Sequence, residues 1–288
     1  MTSRALTFLA NDRYLDWAKI FLESVRSKDA DIAVYCIPYD DRIDGIAALQ
    51  GAFGFEFLTD GLDRLGAFAD RLFPRLPRHR ANLRKYASLT LPVDEVAYFD
   101  IDMALLVEPS RLFGHVEAGE ADLVYFATSP QWVYLPGRLA VAQSLFPGMR
   151  LISAGAFVTS RKTLTIDEVI VTIEENLTLY RSLRQSKVYD QPVLNFVLHK
   201  LQKRCRHIAE LDSSLCGMVS FLNSNVRWVD GRIADKTSPA DILAIHWAGI
   251  GKSSFEILNP RVWGMRRLRR SLRNEAAQRI RIAARPVA

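Results

Sequence analysis

Cysteine is scarce. Cys36, Cys205 and Cys216 are the only three in 288 residues, and no Cys-x-x-Cys pair occurs. An odd, irregularly spaced set is neither a disulfide framework nor a zinc motif. It suits a reducing compartment, so a cytoplasmic location is expected. Long apolar runs are missing as well: none approaches the ~18 uncharged residues that a spanning helix needs. Ala5 to Ala10 is broken by Asn11, Asp12 and Arg13, which is too short for a signal-peptide core. Glycine is absent from residues 9–14, the turn after the first apolar run, so a glycine-rich phosphate loop is excluded there. Repeats and long linkers are lacking too. What remains is 49% hydrophobic and 24% charged, which rules out collagen-like, low-complexity and disordered chains.

The net charge of +6 is unevenly placed. Residues 261–288 hold nine arginines against a single acid, Glu275, while the rest of the chain holds 29 basic and 31 acidic residues. The chain therefore divides into a near-neutral body, 1–260, and a basic tail, 261–288. A nucleic-acid-binding fold spreads its basic patch over the folded body, so no nucleic-acid partner is expected. In the tail, Val262, Trp263, Met265, Leu268, Leu272, Ala276, Ile280 and Ala283 recur at spacings of three and four. That pattern predicts a basic amphipathic helix lying on an anionic membrane surface, peripheral at the inner face. A helix packed on the body with a solvated arginine face, or a frayed end, is the alternative.

The body alternates strand and helix. Ala5 to Ala10, Asp31 to Ile37, Phe53 to Leu58 and Val96 to Phe99 read as strands. Tyr14 to Arg26, Ile43 to Leu49 and Arg80 to Leu91 read as helices. Further on, Ala121 to Phe126, Leu151 to Thr159 and Ile242 to His246 predict strands. Thr163 to Leu183 predicts one long amphipathic helix, and Gln191 to Leu201 another, with Pro192 in its first turn. The class is α/β, with a mostly parallel central sheet flanked by helices.

Asp100-Ile101-Asp102 follows the apolar run Val96 to Phe99. Residues i and i+2 of an extended segment share a side, so two carboxylates leave the strand end together. Ligand sites in open parallel sheets lie beyond the carboxyl ends of the strands. Such a pair suits a hard cation, Mg²⁺ or Mn²⁺; a solvated turn or a helix cap is the plainer reading. His246 also ends an apolar run, ahead of Gly249, Gly251 and Lys252. A glycine-rich turn brings backbone N–H groups to a phosphate, and the lysine adds a point charge; a core histidine is the alternative. Asp190 either caps the helix it opens or acts in a site.

Taken in order, these segments resemble the GT-A-fold nucleotide-sugar glycosyltransferases, most closely glycosyltransferase family 8, the glycogenin and lipopolysaccharide galactosyltransferase group. Leu9-Ala10-Asn11-Asp12-Arg13-Tyr14 resembles the first-strand turn that cradles uridine. Lys85 matches a basic residue ahead of the metal motif Asp100-Ile101-Asp102. Ser153-Ala154-Gly155 resembles the donor-sugar segment, Asp190-Gln191 with Leu194-Asn195 the Asp-Gln-x-x-Leu-Asn element, and His246 through Lys252 the His-Phe-x-Gly-x-x-Lys element. The resemblance implies metal ligation by Asp100, Asp102 and His246. It also implies donor contacts from Leu9, Ala10, Asn11, Tyr14, Lys85, Asp100, Ile101, Ser153, Ala154, Gly155, Gly249 and Lys252, and catalytic roles for Lys85, Asp190 and Gln191. It implies transfer from a nucleotide-sugar donor, a UDP-sugar, to a glycan or glycolipid hydroxyl, with retention. Ser153 stands where the family has Asn, Ala10 replaces a hydroxyl residue, and Ser253-Ser254 replace a Trp after Lys252. A sugar nucleotidyltransferase or an inactive nucleotide-sugar-binding relative are the alternatives. Trp132 and Tyr134, in the loop from Phe126 to Arg150, are expected to line an acceptor cleft.

Overall fold

The computed structural model describes residues 3–74, 80–184, 190–220, 226–229 and 232–247. Gly249, Lys252 and the 261–288 tail lie outside the described residues. The first strand, β1 (Arg4–Ala10), is an apolar run buried along nearly its whole length, as a strand covered on both faces must be. It pairs in parallel with β2 (Ala33–Pro38) and β4 (Glu95–Asp100), and β3 (Glu56–Phe57) extends the sheet beyond β2. The other side holds β7 (Ala156–Thr159), β6 (Leu123–Tyr125) and β8 (Cys205–His207), in the order β3-β2-β1-β4-β7-β6-β8. Only β7 opposes its neighbours; the β6–β8 pair is parallel again. The mostly parallel α/β sheet is thus borne out.

Alternation along the strands fills two cores. Phe8, Ala97 and Phe99 face one side, where α1 (Leu15–Lys28) buries Trp17, Phe21 and Val25. Val96, Tyr98 and Phe157 face the other. That side is covered by α2 (Leu62–Leu72), α3 (Ile166–Glu175), α4 (Leu177–Leu183) and α5 (Asp190–Lys200). A second sheet, in the order β5-β12-β9, joins β5 (Met103–Leu105), β9 (Leu215–Ser220) and β12 (Asp241–His246). Strands β10 (Val226–Val229) and β11 (Arg232–Asp235) form a two-stranded ribbon.

Several sequence expectations are corrected. The single helix over 163–183 is two helices, broken at Asn176, whose side chain donates back to the Thr172 carbonyl at 2.9 Å. The helix expected over Arg80–Leu91 is present, as a 3-10 helix over Ala81–Thr90. Phe53 ends a short helix, leaving only Glu56–Phe57 as strand. Leu151 to Thr159 is not one strand: the Asn195 amide clamps both backbone groups of Ile152 at 2.9 Å, so strand pairing in the sheet begins only at Ala156.

Candidate active site

The register brings the ends of β1 and β4 level, Leu9 beside Asp100. Antiparallel β7 starts at that same edge, Ala156 beside Phe99, which sets Ser153-Ala154-Gly155 against the end of β4. Strand β12 runs antiparallel to β5 and lays His246 beside Met103, while the Trp247 amide donates to the Asp102 carbonyl at 2.9 Å. Two chain segments far apart in sequence therefore meet at one strand edge, as the switch-point rule anticipates.

A cleft of about 660 Å³ opens there. Of the sequence-derived candidates, Leu9, Tyr14, Lys85, Asp100, Ile101, Asp102, Ser153, Gly155, Asp190, Gln191 and His246 line it. Three do not. Ala10 and Ala154 are buried behind the wall. Asn11 is buried too, its amide donating to Asp40 at 2.8 Å and its carbonyl oxygen accepting from the Arg13 amide at 3.2 Å, so it shapes the first-strand turn. Trp132 lines the cleft as expected, but Tyr134 does not: it is buried, its hydroxyl 2.8 Å from His199 Nδ1. Tyr39, Asn82, Tyr98 and Ser129, none of them singled out as a candidate from the sequence, also line the cleft, Asn82 from the 3-10 helix Ala81–Thr90 and Tyr98 from β4.

Asp100, Asp102 and His246 each offer one ligand atom, and these atoms all lie within 4.8 Å of one another. Two carboxylates and an imidazole could hold a divalent cation, and oxygen-rich ligation of this kind suits Mn²⁺ or Mg²⁺. The position of Asp100 is over-determined. Its Oδ1 accepts from the Tyr98 hydroxyl at 2.6 Å and from Lys85 Nζ at 3.2 Å. Its Oδ2 lies against Gly155, where an added Cβ would sit only 3.0 Å from that oxygen. Gly155 is thus the residue that lets the carboxylate approach the backbone.

Lys85 is 2% exposed and joins three acceptors: Asp190 Oδ2 at 2.6 Å, the Ala154 carbonyl at 3.0 Å and Asp100. Burial works against its positive charge, but the Asp100 and Asp190 carboxylates outweigh this and raise its pKa above the ordinary lysine value. Asp190 therefore turns its side chain to a lysine from a distant segment. Its backbone carbonyl accepts from the buried Tyr86 hydroxyl at 2.9 Å. Gln191 donates to the Ser129 carbonyl at 3.0 Å. Burial, together with repulsion from Asp102 and Asp190, raises the Asp100 pKa, against the pull of Lys85 and the Tyr98 hydrogen bond. Burial favours neutral His246, yet the hydrogen bond and charge of Asp102 prevail and raise its pKa above the usual value.

No protein-family model and no curated protein sequence matches the chain. Solved structures do match. The galactosyltransferase LgtC, in complex with donor and acceptor sugar analogues, aligns with a TM-score of 0.57 and 18% identity, covering 94% of this chain and 95% of its own. The fold is that of GT-A glycosyltransferases. Mouse xyloside xylosyltransferase 1 gives a TM-score of 0.51 at 13% identity over 77% of this chain and 88% of its own. The glycosyltransferase GlyE of Streptococcus pneumoniae gives 0.54 at 13% identity over 97% of this chain and 64% of its own. At these identities the likeness establishes the fold, and the expected GT-A architecture is borne out.

Proposed function

We propose that the chain is a metal-dependent glycosyltransferase that moves a hexosyl unit from a nucleotide-sugar, foremost a UDP-sugar, to a hydroxyl of a glycan or glycolipid, with retention. The observation that carries this reading is the convergence of Asp100, Asp102 and His246 on one cleft at the strand edge of a GT-A fold. When bound by these three residues, Mn²⁺ or Mg²⁺ would neutralise charge on the departing nucleoside diphosphate. The protein's own groups do the rest. Leu9, Tyr14 and Tyr39 form the wall suited to the nucleoside. Lys85, locked between two carboxylates, supplies fixed positive charge that needs no reorganisation as the leaving group departs. Asp190 and Gln191, both held rigidly, orient the sugar hydroxyls. The bond from the anomeric carbon to the phosphate oxygen breaks, the acceptor oxygen bonds to that carbon from the same face, and the acceptor proton passes to the leaving phosphate. Gly249 and Lys252 are assigned to the diphosphate, and the basic tail to the inner membrane face. No described helix is long and apolar enough to cross a membrane.

The test is metal-dependent turnover of a donor panel: UDP-glucose, UDP-galactose, their N-acetylated forms and GDP-sugars. One donor is expected to be turned over only with a divalent cation, and Asp102→Asn to lose roughly a hundredfold in rate. An Asp102→Asn enzyme within a few-fold of wild type overturns metal ligation. UDP binding without transfer to any acceptor points instead to an inactive binding relative.

A further inference from the structure

No aspartate or glutamate occurs between Asp122 and Asp167, and within 130–150 the charged residues are Arg138 and Arg150. The same stretch carries three of the four large hydrophobic side chains that stand exposed among the described residues: Trp132 at 40%, Val141 at 42% and Leu145 at 48%. Val141 and Leu145 lie four residues apart on the short helix Leu139–Leu145, so they share one face. Trp132 sits at the rim of the active-site cleft, beside Gln131.

This lip is anchored from beneath. Ala142 is fully buried. Phe146 packs edge-on against Phe196 at 5.8 Å and lies 5.7 Å from the His199 ring. The Leu135 amide donates to the Leu183 carbonyl at 3.0 Å, and Tyr134 is tied to His199. The outward apolar side chains therefore stand on a fixed platform, in a segment that also carries the exposed Arg138 and the half-exposed Arg150, whose guanidinium lies 3.5 Å from Glu210.

We propose that the 130–150 lip is a membrane-contact surface, which inserts Trp132, Val141 and Leu145 into the interface of an anionic leaflet and sets the cleft mouth against it. Charge complementarity selects the occupant. An anionic lipid surface attracts arginine and repels carboxylates, and the 130–150 segment carries Arg138 and Arg150 and no carboxylate of its own, Glu210 at Arg150 coming from outside it. An exposed tryptophan and exposed aliphatic side chains in one short segment are the composition of an interfacial anchor. This surface is separate from the C-terminal tail and does not depend on the transfer chemistry proposed above.

The test is partition of the full chain onto vesicles of phosphatidylcholine with phosphatidylglycerol, and of phosphatidylcholine alone, at about 0.1 M and about 0.5 M salt. The variant Val141→Ser/Leu145→Ser removes only exposed methyl-bearing groups, so its unfolding temperature and soluble donor turnover are expected to match the parent. Its partition onto the anionic vesicles is expected to fall roughly tenfold. That ratio is expected to persist in high salt, because burial of apolar groups is not screened, whereas a contribution from the arginine tail shrinks. Equal partition of parent and variant at both salts overturns the proposal. So does failure of the parent to bind either vesicle. Loss of self-association in the variant with unchanged vesicle binding also overturns it, and assigns the lip to a second copy of the chain. If donor turnover fails and the partition difference holds, the lip stands and the proposed chemistry falls.

Discussion

Replacing Lys85 by Met removes a fully buried cation from between two carboxylates while keeping its length. Lys85 Nζ meets Asp190 at 2.6 Å and Asp100 at 3.2 Å, and the Asp190 side chain is only 12% exposed. Removing one partner of a buried ion pair costs roughly 3–5 kcal/mol. Asp100 is a third exposed, so its share is screened. About 3 kcal/mol is the resulting estimate, which for a domain of this size lowers Tm by about 6–10 °C. The raised lysine pKa fixes the pH window. Its contribution is fully present below the unfolded lysine value, about 10.4, and is lost only as pH rises through the still higher folded value. The loss in Lys85→Met is therefore flat across neutral pH. Thermal unfolding of Lys85→Met, Asp190→Asn and the double variant forms the assay. Neutralising Asp190 relieves the orphaned charge, so the double variant is expected to lose about 4 °C less than the two single losses together. A Tm within about 2 °C of wild type for Lys85→Met, or strict additivity in the cycle, refutes the picture of Lys85 as the electrostatic pivot.

Gly155→Ala presses a methyl group on Asp100 Oδ2, so Mn²⁺ affinity measured by titration calorimetry is expected to fall roughly tenfold with little change in Tm. A metal held by His246 as proposed would displace the proton that Asp102 helps hold there; Mn²⁺ affinity is therefore expected to fall about tenfold per pH unit below that raised pKa, and His246→Gln to flatten the slope. Glu168 accepts from the Thr165 amide and from Lys203 at 2.7 Å, and these contacts outweigh its burial and hold its pKa low. Its contribution is present above the unfolded glutamate value and is lost as pH falls through the lower folded one. Glu168→Gln is thus expected to cost about 1 kcal/mol at pH 7 and nothing in acid, read by denaturant unfolding at both pH values.

The parts of this fold that could be read from sequence are those whose environment is uniform along the chain. Strands β1 and β4 are covered on both faces, so they appear as apolar runs, interrupted only by Thr7 in β1, and the polar residues that end them mark the sheet edge. The Asp100–Asp102 pair was visible because its geometry is local. Asp190 was ambiguous for the opposite reason: its partner, Lys85, lies 105 residues away, and nothing local separates a cap from an ion pair. Tyr98 reads as an ordinary strand aromatic, since nothing in the sequence shows that its hydroxyl donates to Asp100, two residues on along the same face of β4. The break in the 163–183 helix and the late start of β7 follow from single asparagine side chains, Asn176 and Asn195, bonding to backbone. Strands such as β5 and β8 are three residues long and carry too little periodicity to register.

Asp102 and His246 are far apart in the chain, yet His246 Nε2 stands 3.2 Å from Asp102 Oδ1. An ion shared by these residues would close a loop of roughly 140 residues, the kind of long-range staple that a secreted protein makes with a disulfide. A chain with three unpaired thiols has no such bridge, and the metal centre would supply a reversible one. Saturating metal, at a hundred times its Kd, would add about 2.7 kcal/mol to global stability by mass action. Chelation would therefore reach beyond the cleft, loosening β12 and everything that pairs with it, and metal supply would set how long the protein survives as well as how fast it works.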